Sequence, residues 1–257
     1  MAHVIAISNQ KGGVGKTTTC ISLGACLVES GEQTLIVDMD SQSNLTMTVG
    51  LDPDSLEFAL PDLLGTEQSA TIPKVTDVIK PTNMPGLDIL PSDVRMASAE
   101  RILYDIPEYE KILGKVLSEI SSAYTYILLD CPPSLGALTL LALTTAQHVL
   151  VPVQCEYFAA RGLVRLLDVV SAVRQHTNPA LVYWLVVTLF DKRNNISLRV
   201  LEQLQENFGE HLLQSMIGID TRLRESAVVG EPIILFAPQS RASEQYRLLS
   251  AEISQKL

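Results

Sequence analysis

The chain is short of the features that mark secreted, metal-binding and membrane proteins. It holds four cysteines in 257 residues, Cys20, Cys26, Cys131 and Cys155, with no CxxC pair and no histidine partner at zinc spacing. Buried, reduced thiols of a cytosolic protein are therefore expected. No apolar run reaches the roughly 18–20 residues that span a bilayer, although apolar residues make up 47% of the chain and can fill a sizeable core. The opening "MAHVIAISNQ" has neither a basic leader nor a cleavage site and reads as a strand, not a signal peptide. Internal repeats, low-complexity tracts and linkers are missing as well, so residues 1–257 are expected to fold as a single domain.

Positive charge is also scarce. The net charge is −10, which argues at first against nucleic acid. The deficit is uneven, however. Residues 1–180 carry 11 Lys/Arg against 20 Asp/Glu, whereas the final 77 carry 8 against 9. The C-terminal third is the part able to present a basic face on an acidic protein.

What the chain has in quantity is short, β-rich apolar runs followed by helical patterns. "HVIAIS" (3–8) leads into a helix from about Lys16 to Ser30, broken by Gly31, and "QTLIVD" (33–38) follows. A longer irregular insertion reaches about residue 85, then "LDILPS" (87–92) precedes a helix-rich stretch over 97–122. "YTYILLD" (124–130), "HVLVPV" (148–153) and "LVYWLVVTLF" (181–190) are the remaining strands. Each run is almost continuously apolar, as strands are when both faces of a parallel sheet are covered. The alternation predicts a doubly wound α/β fold, a mostly parallel sheet with helices on both faces. Ligands of such sheets bind beyond the carboxyl ends of the strands, and Asp38, Asp40 and Asp130 all fall at that edge.

The stretch "NQKGGVGKTTT" (9–19) falls there too. It departs from the usual phosphate loop, which has a glycine five residues before the Gly-Lys pair. Gln10 stands at that place, and an extra lysine, Lys11, follows it. Gly12, Gly13 and Gly15 allow backbone N–H groups to turn around phosphate oxygens, and the N-terminus of the next helix adds partial positive charge. Lys16 would reach the β/γ-phosphates, and the Thr17 hydroxyl is offered to Mg²⁺.

"KGGVGKTT" resembles the deviant Walker A loop of the ParA/MinD superfamily of ATPases, and the likeness runs over nearly the whole chain. The resemblance implies ATP and Mg²⁺ as cofactors, with Lys11, Gly12, Gly13, Val14, Gly15, Lys16, Thr17 and Thr18 around the nucleotide. It implies a homodimer formed with ATP, in which Lys11 crosses to the partner's phosphates. That role suits a cation placed where charge develops during phosphoryl transfer. "VDMDSQSNLT" (37–46) is similar to the family's switch segment, with Ser41 in place of a proline and Gln42 and Asn44 kept. By that match Asp40 orients the attacking water, and Asp38 supports it and the magnesium shell. "ILLDCPPSLG" (127–136) resembles a Walker B strand whose Asp130 holds Mg²⁺ through water, followed by a Pro-Pro second switch. "VPVQCEYFAARGL" (151–163) implies contact of Glu156 with the ribose or with Lys11 across the dimer; Asp191 is the candidate for the adenine.

The C-terminal third resembles the small chromosomal, Soj-like ParA group through "FDKRNNISLRVLEQLQENFG" and "IDTRLRESAVVGEPIILFAPQSRASEQYRLL". The group implies nonspecific, nucleoid DNA binding through Lys192, Arg193, Arg199, Arg222, Arg224, Arg241 and Arg247. It also implies a ParB-like or other adaptor that stimulates hydrolysis, in the cytoplasm and without stable membrane insertion. The cargo is left open: a chromosome, a plasmid or a protein compartment such as a carboxysome, the McdA-type role. The rival is a MinD-like membrane-associated ATPase, because Tyr246, Leu249, Ile253 and Leu257 repeat at helical spacing. That segment is poor in lysine and contains Glu244 and Glu252, whereas an interfacial helix wants a basic face. Packing against the sheet is expected instead. A cluster-scaffold ATPase would need a second cysteine to match Cys131, and none is placed for it.

Overall fold

The computed structural model describes residues 2–66, 72–156 and 159–257. From β1 (His3–Ile7) the chain passes through the glycine loop into α1 (Lys16–Glu29). Gly31, at a φ of +96° that favours glycine, turns it back into β2 (Thr34–Asp38). The stretch read as irregular contains α2 (Asn44–Thr48), a 3-10 turn at Pro53–Ser55, α3 (Leu60–Leu63), α4 (Val75–Val78) and the two-residue β3 (Lys80–Pro81). Then come β4 (Leu87–Leu90), α5 (Met96–Leu103), α6 (Ile112–Ser118), β5 (Tyr126–Asp130), α7 (Ala137–Thr145) and β6 (His148–Gln154). The chain continues with α8 (Ala159–His176), β7 (Val182–Phe190), α9 (Asn195–Phe208), β8 (Leu212–Gly218), α10 (Arg222–Val229), α11 (Ile233–Phe236) and α12 (Arg241–Lys256).

The strands form one sheet in the order β3-β4-β2-β5-β1-β6-β7-β8, parallel except for the antiparallel β3–β4 pair. This is the expected doubly wound α/β architecture. Successive side chains of a strand point to opposite faces, and here both faces are buried. Val4, Ala6, Leu35, Val37, Ile127 and Leu129 pack in one layer with residues of α5, α6, α7 and α8. Ile5, Ile7, Ile36, Leu128 and Leu150 pack in the other with α1, α11 and α12. Burial of both parities is the physical reason the strands read as unbroken apolar runs.

Two strands went unread in the sequence. β8 lies at the sheet edge, its burial is uneven and includes exposed Gln214, and its register with β7 is broken by irregularities. Neither alternation nor a continuous apolar run survives in such a strand. β3 is too short to carry a pattern. The helix-rich reading of 97–122 resolves into α5, a 3-10 turn at Tyr109–Lys111, and α6.

Candidate active site

β1, β5 and β2 lie side by side, and the register pairs Ile7 and Asp38 with Asp130. The strand order therefore brings the glycine loop and both strand-end carboxylates to one point, where the winding of the sheet reverses. A cleft of about 730 Å³ opens there, lined among others by Gly12, Gly13, Gly15, Lys16, Thr17, Thr18, Asp40, Glu100 and Pro132–Ser134.

The loop is held at both ends. Asn9 donates its side-chain amide to the Pro152 carbonyl at 2.7 Å and accepts from the Lys11 N–H at 3.0 Å. The Thr188 hydroxyl donates to the Val14 carbonyl at 2.8 Å. Gly13 and Gly15 have φ of +74° and +89°, and a Cβ at Gly12, Gly13 or Gly15 would meet no atom of the described residues within 4 Å beyond its own chain neighbours. Their concave side is thus open to a ligand. No side chain caps α1, so its first N–H groups are free to meet an anion. Lys16 is buried within that arc, its Nζ 3.5 Å from the Lys11 carbonyl oxygen. Burial lowers its pKa, while Asp130, the Cys131 thiol and Asp40 act to raise it.

Asp38 is fully buried and accepts from the Thr46 N–H (2.8 Å), the Thr46 hydroxyl (2.7 Å) and the Asp40 N–H (3.1 Å). Desolvation still prevails, and its pKa is raised to about 6. Asp130 is equally buried; its Oδ1 has no hydrogen-bond partner among the described residues, and burial followed by the nearby Asp38 pushes its pKa well up. The Thr17 hydroxyl and Lys16 act in the opposite sense. Two desolvated carboxylates, one with an orphaned oxygen, suit a cation. Asp40 is half-exposed at the cleft; its carboxylate accepts from the Gln42 N–H at 3.0 Å, and its carbonyl accepts from the Ser43 N–H at 3.0 Å. These bonds close the turn despite Ser41 standing where the family pattern has proline.

Lys11 is turned away from its own loop. Its ammonium lies 2.5 Å from Glu156 and 3.0 Å from the Gln154 side-chain oxygen of the same chain. Glu156 thus meets Lys11 within one chain, whereas the expectation was a contact with the ribose or with Lys11 across a dimer. Asp191 forms a local ring with Arg193, three bonds of 3.0 Å, and that hydrogen bonding holds its pKa down to about 2. It lines neither the cleft nor the adjoining cavity. That cavity, of about 260 Å³, lies on the other side of the loop between Gly13, Val14, Thr18, Leu189, Thr221, Arg224 and Tyr246. Leu189 carries a φ of +51° there, an uncommon conformation for a bulky residue. Of these walls outside the loop, the sequence singled out only Arg224 as a site residue, and for DNA.

The seven basic candidates separate in the same way. Lys192, Arg193, Arg199, Arg222, Arg224 and Arg241 are exposed. Arg241 donates to the Ile219 carbonyl at 2.5 Å, and Arg247 is clamped by Glu29 (2.6 and 2.9 Å) and the Pro238 carbonyl (2.7 Å). Among the described residues no ion pair ties Lys192, Arg199, Arg222 or Arg224.

A glycine loop between strand and helix, a buried lysine within it and acidic strand ends beside it define a P-loop nucleotide-binding protein. A family model described as "AAA domain" matches residues 2–183. The chain is 40% identical to the sporulation initiation inhibitor protein Soj of Bacillus subtilis over 99% of both chains. It is 37% identical to the chromosome partitioning protein ParA of Caulobacter vibrioides, over 98% of this chain and 93% of that one. A solved structure described as cobyrinic acid a,c-diamide synthase from Mycobacterium smegmatis, with bound ADP and magnesium, is 34% identical. It covers 99% of this chain and 95% of its own, with a TM-score of 0.86. The chain belongs to the Soj/ParA family within the ParA/MinD superfamily of ATPases.

Proposed function

We propose that the chain is a partition-type ATPase. It binds ATP with Mg²⁺, closes into a homodimer over two nucleotides, and in that state holds nucleoid DNA of any sequence. A ParB-like or other adaptor stimulates hydrolysis, and the cycle segregates or positions a cargo in the cytoplasm: a chromosome, a plasmid or a protein compartment such as a carboxysome. The observation that carries this reading is the pair of lysines in one loop. Lys16 is buried beside Asp130, whereas Lys11 points out onto Glu156 and Gln154. One cation serves the chain's own phosphates, and the other, held by a part-exposed pair it can leave, serves a second copy's.

Asp130, Asp38 and the Thr17 hydroxyl fit magnesium. No group of three His, Cys, Asp or Glu side chains among the described residues forms a metal cage. Magnesium suits so few protein ligands because it keeps waters and nucleotide oxygens. When bound, the ion neutralises charge on the β- and γ-phosphates. The protein does the rest. Loop N–H groups and Lys16 hold the phosphates, and Asp40 accepts a hydrogen bond from the attacking water. The partner's Lys11 stabilises the equatorial oxygens of the transferred group. The 260 Å³ cavity beside the loop is assigned to the adenine, in place of Asp191.

Two other readings have less support. Tyr246, Leu249 and Ile253 are buried against the sheet and unavailable to a bilayer, which weighs against a MinD-like membrane helix. Among the described residues no helix is long and apolar enough to cross a membrane. Diamide synthesis is what the mycobacterial protein's description gives, and carrying it out through a cysteine nucleophile would call for a reactive thiolate. All four thiols here are buried, and burial raises them, Cys155 to about 11 and Cys26 to about 12. The test is co-sedimentation with DNA and with anionic liposomes, each with ATP, ADP or no nucleotide. ATP-dependent binding to DNA is expected; ATP-dependent binding to liposomes alone would overturn the proposal.

A further inference from the structure

The connection from β4 into α5 touches both loops that flank the phosphate cleft. At its start Ser92 is fully buried. Its hydroxyl donates to the Asp40 carbonyl at 2.9 Å, and its N–H donates to the Thr46 hydroxyl at 3.0 Å. That hydroxyl in turn donates to Asp38 at 2.7 Å. One serine therefore joins the two acids of the first loop through a chain of hydrogen bonds. Eight residues later, Glu100 lines the cleft beside Pro132, Pro133 and Ser134. A Cβ on Gly136 would overlap the Glu100 carboxylate. The backbone of Gly136, φ −89° and ψ −162°, is open to any residue, so glycine there supplies room for Glu100 and not a special conformation. The segment is anchored between these two contacts and just ahead of the first. Arg95 binds Asp93 through Nε at 3.0 Å and reaches Asp62 with two bonds of 2.8 Å, and the Leu60 N–H donates to the Pro91 carbonyl at 2.8 Å.

We propose that residues Ser92 to Glu100 form a strap that positions both loops for hydrolysis, with Ser92 setting the Asp40 turn and Glu100 setting the turn ahead of α7. The inference rests on the ATPase reading above and deepens it. Ser92 and Glu100 are positioning residues. Neither is placed to hold the phosphates as the glycine loop and Lys16 are, so their loss should lower kcat and leave nucleotide affinity nearly intact. A buried neutral hydrogen bond to the Asp40 turn is worth enough for roughly a five- to tenfold fall in kcat.

The experiment measures ATP turnover and binding of a fluorescent ATP analogue for the parent, Ser92→Ala, Thr46→Val, Thr46→Ser, Glu100→Gln, Gly136→Ala and the Glu100→Gln/Gly136→Ala double variant. Ser92→Ala and Thr46→Val should each lose kcat with affinity within about twofold of the parent, and Thr46→Ser, which keeps the hydroxyl, should recover it. Gly136→Ala displaces the tip of a flexible side chain, so it should fold, lower kcat and add little to Glu100→Gln, since both act on the same interaction. Should Ser92→Ala fail to fold by circular dichroism, the Glu100 and Gly136 set decides. Parental kcat in the folded variants, a parallel loss of affinity, or strict additivity of the Glu100 and Gly136 effects overturns the strap while the ATPase reading stands. A parent that does not hydrolyse ATP at all overturns both.

Discussion

Lys11 and Lys16 sit five positions apart and have opposite environments. Lys16 is buried and faces Asp130 and Asp40, so Lys16→Ala removes the main side-chain cation of the phosphate cleft and leaves those carboxylates without it. Nucleotide binding should be lost, as checked by titration with a fluorescent ATP analogue. Lys11 is one-third exposed and its partner Glu156 about half exposed. A solvent-screened pair of this kind is worth only about 0.2–1 kcal/mol, so Lys11 can leave Glu156 at little cost. Lys11→Ala is therefore expected to keep ATP bound while dimerisation and turnover fail. Light scattering with ATP reads this directly, and an unchanged dimer would remove Lys11 from its trans role. Asp40→Ala leaves the loop, Lys16 and the buried acids in place. It should keep ATP bound, stop hydrolysis and accumulate the dimer, seen as a shift in elution volume that persists after ATP is supplied; turnover at the parental rate would take the water-orienting role from Asp40.

At the scale of elements, α12 shows how an amphipathic repeat is put to use. Its Tyr246, Leu249 and Ile253 are inserted among residues of α1 and the sheet, and the Tyr246 hydroxyl lies 3.2 Å from that of Thr19 on α1. The C-terminal helix thus supports the helix that carries Lys16 and Thr17. Leu249 is fully buried, and Leu249→Ala is expected to cost about 2–5 kcal/mol from reduced burial and a residual cavity. Urea denaturation checks the value. A change below about 0.5 kcal/mol, the range of ordinary surface substitutions, would show α12 to be detachable and revive the membrane reading.

For the whole molecule, charge sets the problem that dimerisation would solve in the proposed cycle. A monomer with a net charge of −10 repels DNA, and its exposed cations are few. Two copies closed over ATP would place two sets side by side. Of the seven candidates, Lys192, Arg199, Arg222 and Arg224 have no ion pair among the described residues and Arg241 reaches only the Ile219 carbonyl, whereas the Arg247 guanidinium is already satisfied by Glu29 and Pro238. Removing charge at Arg199 and Arg222 should weaken DNA binding and flatten its salt dependence, by about 0.9 log unit per log unit of salt for each phosphate no longer neutralised. Removing it at Arg247 should act mainly on stability. Filter binding with ATP across a salt series separates the two, and an Arg247 variant that loses more DNA affinity than the Arg199 variant would reverse the assignment.

The sequence by itself determined the sheet's interior strands, the phosphate loop and the acids at strand ends. Strands buried on both faces must be apolar throughout, and a phosphate cradle requires glycines, Lys16 and Thr17 within a few consecutive residues. Such signals are local, and one chain is enough to read them. Tertiary structure alone decided the rest. β8 became visible only once β7 offered it an edge, and the 260 Å³ cavity draws its walls from the loop, the ends of β7 and β8, α10 and α12. Asp191 looked available in sequence, yet Arg193 two residues on had already taken it. Ser92 and Glu100 carry no motif, because what they do depends on Asp40 and Gly136, and the fold brings those partners to them from distant parts of the chain.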